Sequence, residues 1–102
     1  MKTISGKQRR ALRGIGHGLS PHVQVNQIAE GVLGEIERQL THHELIKVKF
    51  AIDERDERRE AIRAIASSTG SDCVQEIGKT ALFYRHNPEK KDPIRLPRDP
   101  QE

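Results

Sequence analysis

From Glu44 to Ala51 the side chains alternate: Ile46, Val48 and Phe50 fall on one side, Leu45, Lys47 and Lys49 on the other. A period of two marks a strand with one buried face. It is the most constraining run in the chain, because the stretches flanking it have the helical period instead. Before it, Ala29, Val32, Leu33, Ile36 and Leu40 recur at helical spacing, with Glu35, Glu37, Arg38 and Gln39 turned mainly outward. This predicts a helix from Ile28 or Ala29 to Thr41. After it, Asp53 is a plausible cap for a helix with Glu54, Asp56 and Glu57 near its positive end. Ala61, Ile62 and Ile65 are its core contacts, and Ser67-Ser68-Thr69-Gly70 closes it.

The outer elements follow by the same reasoning. Ser5 can cap a first helix ending at Gly16–Gly18, with Ile4, Ala11, Leu12, Ile15 and Leu19 as its buried stripe. Pro21 introduces a short strand, His22 to Val25, and Asn26-Gln27 links it to the second helix. Cys73–Ile77 and Thr80–Arg85 read as two strands joined through Gly78-Lys79. The order is αβαβαββ, an α/β fold in one compact domain. Helix crossovers favour parallel pairing and the final hairpin adds an antiparallel pair, giving a four-stranded mixed sheet with packed helices. A chain of 102 residues has room for one modest core. Residues 1–86 form the domain. Residues 87–102 hold four of the five prolines and little to bury, and are expected to be a flexible tail.

Charge is segregated along this order. Lys2, Lys7, Arg9, Arg10 and Arg13 precede the first acid, Glu30, although the whole chain is only +3. On the first helix Arg9, Arg10, Arg13 and His17 project opposite the apolar stripe, with Lys7 at its edge. Solvated helices usually intersperse charges for i,i+4 pairing, as Asp56, Glu57, Arg58, Arg59, Glu60 and Arg63 do. A helix face of one sign fits a polyanion, and arginine grips phosphate bidentately. Lys47 and Lys49 on one strand face, Lys79 in the hairpin turn and Arg85 at a strand end extend that surface. Reversing Arg9 and Arg13 is expected to spare the fold while weakening nucleic-acid binding.

Other classes find less support. No apolar run approaches the ~20 residues that span a bilayer, and mean hydropathy is −0.76. Cys73 is the single cysteine, which fits a reducing, cytoplasmic setting. Lys47 stands where a second histidine would complete an H-E-x-x-H zinc pattern from His43, so no metal or cofactor is expected. No catalytic set of nucleophile, base and acid can be picked out. Three aromatic residues are too few for a stacking platform.

Two stretches carry a family resemblance. Ile28-Ala29-Glu30-Gly31-Val32-Leu33 leading into His42-His43-Glu44-Leu45-Ile46-Lys47-Val48-Lys49, and Ile77-Gly78-Lys79-Thr80 with Tyr84-Arg85, resemble the YhbY family. These are stand-alone bacterial CRM domains (chloroplast RNA splicing and ribosome maturation). The resemblance spans roughly residues 5–86 and implies a fold like the C-terminal domain of translation initiation factor three. It also implies RNA binding on precursors of the large ribosomal subunit, without catalysis, and the chain is expected to act as a monomer that assists assembly and takes no small-molecule substrate. Docking on a ribosomal protein or assembly factor is the competing class. The family's glycine-containing loop after the first strand is here Val25-Asn26-Gln27-Ile28, shorter and without glycines. Asn26 and Gln27 keep amides for RNA contact but not the close backbone approach that glycine permits.

Overall fold

The computed structural model describes residues 4–97. Its elements are α1 (Gly6–His17), β1 (Val23–Val25), α2 (Glu30–His43), β2 (Leu45–Phe50), α3 (Arg55–Thr69), β3 (Asp72–Ile77) and β4 (Thr80–Tyr84). This is the expected αβαβαββ order. The four strands form one sheet in the order β1-β2-β4-β3. β1 and β2 pair in parallel, while β4 runs antiparallel to both β2 and β3. The second crossover therefore does not make neighbours of β2 and β3. They point the same way with β4 inserted between them.

The alternation of β2 sets the layers. Ile46, Val48 and Phe50 face a core shared with Val25, Ile36, Leu40, Ile62, Ile65 and Phe83, under α2 and α3. Leu45 faces the other side, in a smaller cluster with Leu12, Val74, Leu82 and Tyr84, under α1. α1 begins as a capping box: Gln8 N–H donates to Ser5 Oγ at 3.1 Å, and Ser5 N–H donates to Gln8 Oε1 at 3.0 Å. Its buried line runs through Leu12 and Gly16 rather than through Ile15, which is 43% exposed. Gly16 is the reason. Its Cα packs so close to Leu82 that a Cβ there would lie 2.3 Å from Leu82 Cδ1, so the helix settles on its glycine and Ile15 rotates out.

Two helix starts also depart from expectation. α3 begins at Glu54 without a side-chain cap, and Asp53 instead pairs with Lys79. The Arg58 guanidinium ties down the preceding turn by donating to the Ile52 and Asp53 carbonyls. The N-cap position of α2 is Ala29, which has no group to cap with.

Glu44, between α2 and β2, is fully buried and holds φ at 62°, a value few non-glycine residues adopt. Its carboxylate accepts from Asn87 N–H at 2.8 Å, Ile94 N–H at 2.7 Å and His86 Nδ1 at 3.1 Å. Gln8 Nε2 donates to the Pro97 carbonyl, and Ile94 and Leu96 pack on the α1-side cluster. The expectation of an unattached tail is thus corrected for residues 87–97. They form no helix or strand, yet a buried carboxylate and two apolar side chains hold them on the domain. Residues 98–102 lie outside the described residues.

Candidate nucleic-acid interface

α1 covers only part of its side of the sheet. Its helix axis rests on Leu82, Tyr84, Leu45 and Val74, toward one end of the strands. Toward the other end the sheet is open. The pairing register lines up Gln24, Lys49, Thr80 and Ile77 as one row across all four strands. The next row holds Lys47, Leu82 and Gln75. Neither row contains a carboxylate. Ile77 is 53% exposed on this face.

A β-bulge sets which side chains face this row. The β3–β4 register shifts between Cys73 and Gln75, so that Val74 and Gln75 both turn to the α1 side. Regular alternation from Val74 would have put Glu76 there. With the bulge, Gln75 and Ile77 face the open row, and Glu76 pairs with Ala81 on the opposite face, 3.9 Å from Arg59. Arg9 braces the bulge: its Nη1 donates to the Cys73 carbonyl at 2.8 Å and to the Val74 carbonyl at 3.1 Å. The result is a groove of about 250 Å3 lined by Gly16, His17, Lys47, Gln75, Ile77, Thr80, Ala81 and Leu82.

The residues expected to bind RNA separate into three groups. Lys7, Arg10 and His17 are exposed and Arg13 half-buried on α1, and Lys47 and Lys49 lie on the open sheet. Among the described residues none of these side chains has an ion-pair partner. The second group is at the same end of the strands. Asn26 and Gln27 are exposed after β1, and Lys79 is exposed in the turn formed by Gly78 at φ 56°. The Asn26-Gln27 loop borders a second groove that also contains Glu57 and Glu60, an unfavourable setting for phosphate. Lys79 donates to Asp53 and holds that carboxyl below its usual range.

Arg9 and Arg85 are spoken for. Arg85 donates to Glu37 Oε1 and the Thr69 carbonyl, both at 2.8 Å, and to Thr41 Oγ1 at 3.1 Å. It joins the end of α2 to the end of α3, away from the open row. An acidic side chain in place of Arg9 would face the Cys73 and Val74 carbonyls, which bears on the expected tolerance of the Arg9 and Arg13 reversal. Gln75, Thr80, Ile77 and Gln24 were not singled out from sequence. Polar residues at alternate strand positions were the available signal, and the bulge obscured it.

His22, at the start of β1, brackets Lys47. Its N–H donates to the Lys47 carbonyl and its Nδ1 accepts from Lys47 N–H at 3.0 Å. Burial first, then the His43 ring with its centroid 4.7 Å away, lowers the His22 pKa. Burial raises the pKa of the Cys73 thiol, which suits a packed rather than a reactive cysteine.

The fold is a small α/β domain whose open strand face meets the end of a basic helix in a groove without carboxylates, a surface that a polyanion fits. The chain belongs to the CRS1 / YhbY (CRM) domain family, whose model matches residues 4–85. It is 48% identical to a probable RNA-binding protein of Pseudomonas aeruginosa, over 83% of this chain and 84% of that one. It is 46% identical to an RNA-binding protein of Haemophilus influenzae, over 96% of this chain and 99% of that one. The solution structure of a Staphylococcus aureus protein superposes with a TM-score of 0.80 at 34% identity, covering 93% of this chain and all of that one.

Proposed function

We propose that this protein binds RNA through α1 and the open half of its sheet, and that its target is ribosomal RNA in precursors of the large subunit. The carrying observation is the groove in which His17 at the end of α1 meets Lys47 of β2 with no carboxylate in its lining, beside the carboxylate-free row that carries Lys49; Lys7, Arg10 and Arg13 stand exposed or half-buried on the same helix. Family membership and the RNA-binding names of its relatives support the reading. The ribosomal target and the non-catalytic role in assembly rest on the family resemblance, and the cytoplasmic setting on the single cysteine, Cys73; the protein acts as a monomer in this reading. Phosphate contacts supply most of the affinity, so binding weakens steeply with salt. Lys79 joins when phosphate displaces the exposed Asp53 carboxylate, whereas Asn26 and Gln27 contribute less beside Glu57 and Glu60.

Co-sedimentation with ribosomal precursors before and after RNase treatment tests this. Release by RNase is the expected result. Retention on RNase-treated particles would overturn it in favour of docking on a ribosomal protein. Arg10→Glu with Lys49→Glu, both at exposed positions, should leave the thermal midpoint nearly unchanged and abolish the RNA-dependent fraction.

A further inference from the structure

The groove between the end of α1 and the open row has a chemistry that phosphate binding alone does not require. Its floor is apolar, formed by Leu82 under the bare backbone of Gly16, and exposed Ile77 supplies a wall. Around that apolar surface stand groups that read polar edges. The Gln75 carboxamide offers both donors and an acceptor. The Thr80 hydroxyl spends its hydrogen on the Ile77 carbonyl at 2.9 Å and keeps its lone pairs as acceptors. His17 lies at the mouth and Lys47 beside it, with no carboxylate in the lining.

We propose that this groove receives a single unstacked RNA base, with the flanking phosphates on Lys47 and Lys49, so that the protein selects unpaired over duplex RNA. The proposal rests on the RNA-binding reading and specifies the form of RNA taken at that site. A base has two apolar faces and a polar rim, which the groove matches with exposed Ile77 against one face, Leu82 closing the floor, and Gln75 and Thr80 at the rim. In an A-form duplex the faces are stacked away, and only a nucleotide from a loop, bulge or end can present them. One base in a groove needs no aromatic platform, which this chain lacks. The adjacent lysines distinguish this occupant from an apolar peptide side chain, which would gain nothing from them.

The bulge makes the groove suitable for a polyanion. It brings Gln75 and Ile77 to this face and sends the Glu76 carboxylate to the other. Arg9 holds the bulge by its two freed carbonyls and is therefore a positioning residue for the site rather than a phosphate ligand.

The test compares a hairpin RNA carrying an unpaired loop with a blunt duplex RNA of the same composition, by fluorescence anisotropy. Wild-type protein should prefer the hairpin, and Gln75→Ala with Ile77→Ser should lose about tenfold on the hairpin but little on the duplex, in line with the usual cost of losing a stacked base. Both side chains are at least partly exposed, so the double variant should fold. Independently of any variant, the hairpin should shift the Gln75 side-chain amide resonances of wild-type protein, and the duplex should not. Arg9→Ala should lose the hairpin preference while retaining the salt dependence, which a purely structural role would not predict. Equal affinity for the two RNAs, or unmoved Gln75 resonances, would overturn the groove proposal while leaving RNA binding intact. Failure to bind either RNA would remove the RNA-binding reading itself.

Discussion

Arg9 and Arg10 are neighbours in sequence with the same charge, and the structure assigns them opposite work. Arg9→Ala removes two charge-assisted hydrogen bonds, at 2.8 and 3.1 Å, from a partly buried guanidinium. Bonds to charged groups contribute about 1.5–3 kcal/mol. Both bonds come from one nitrogen and β3 is an edge strand where water can reach the released carbonyls, so the two count as a single bond at the lower half of that range, about 2 kcal/mol. For a domain of this size each kcal/mol moves the midpoint by roughly 4–8 °C, so Arg9→Ala should melt about 10 °C below wild type. Arg10 is exposed, and Arg10→Ala should stay within about 0.5 kcal/mol. RNA titrations across salt should invert the order. Arg10→Ala should reduce the steepness of the salt dependence by about one phosphate contact, and Arg9→Ala should leave it unchanged. Thermal unfolding by circular dichroism and anisotropy at several salt concentrations read both quantities. An Arg9→Ala protein with a wild-type midpoint and a shallower salt slope would refute the assignment and return Arg9 to the phosphate-binding set.

Three other perturbations follow from the same geometry. Glu44→Gln replaces a carboxylate that accepts from Asn87 and Ile94 N–H groups with an amide that can serve only one of them; leaving a buried donor unserved costs about 1–3 kcal/mol. Hydrogen exchange should show lost protection at Asn87 or Ile94, and unchanged protection at both would contradict the clasp. Gly16→Ala must displace the Leu82 side chain, and overpacking of about 1–3 kcal/mol should outweigh the gain in helix propensity of about 1 kcal/mol. A stabilised variant would show that Leu82 simply turns aside. For His22 the folded pKa is lowered, so the unfolded chain takes up the proton first. Its contribution is therefore fully present above the ordinary histidine value of 6.5 and declines as pH falls from there toward the lowered folded value. His22→Gln should flatten that part of the stability–pH curve, and an unchanged curve would count against burial of the imidazole as its source.

Legibility from sequence tracked how local the deciding interactions are. β2 could be read because alternate residues meet one continuous core, so its period of two survives intact from Ile46 to Phe50. α1 was placed correctly at its start, where Ser5 and Gln8 decide the matter within four residues, but its buried line was misassigned at Ile15. A hydrophobicity pattern ranks isoleucine above glycine at a core position. Packing against Leu82 reversed that ranking, because only the glycine permits so close an approach. β3 was located to within a residue, yet its bulge was invisible, since the mixed run Cys73 to Ile77 is compatible with either parity. The tail was misjudged for a similar reason. Its anchor is a glutamate fifty positions away from Ile94, in a sequence context that reads as an ordinary helix end.

The site shows the same limit in electrostatic form. A sequence counts charges, whereas a polyanion meets only those whose hydrogen-bonding capacity is still free. Arg9 finds its carbonyl acceptors 64 and 65 positions along the chain, and Arg85 finds Glu37 at a separation of 48. Both are arginines because the fork that suits phosphate also suits paired carbonyls and carboxylates inside a fold. Residue type therefore cannot distinguish a binding arginine from a bracing one. Topology can. Of the cations read from sequence as one basic surface, Lys7, Arg10, Arg13, Lys47 and Lys49 stay exposed or half-exposed on one helix and on the strand it packs against. The acid that would have interrupted them, Glu76, is turned away by a bulge that one of the withdrawn arginines holds in place. Arg9 thus shapes what stands beside the charged surface, with its own guanidinium committed to the Cys73 and Val74 carbonyls.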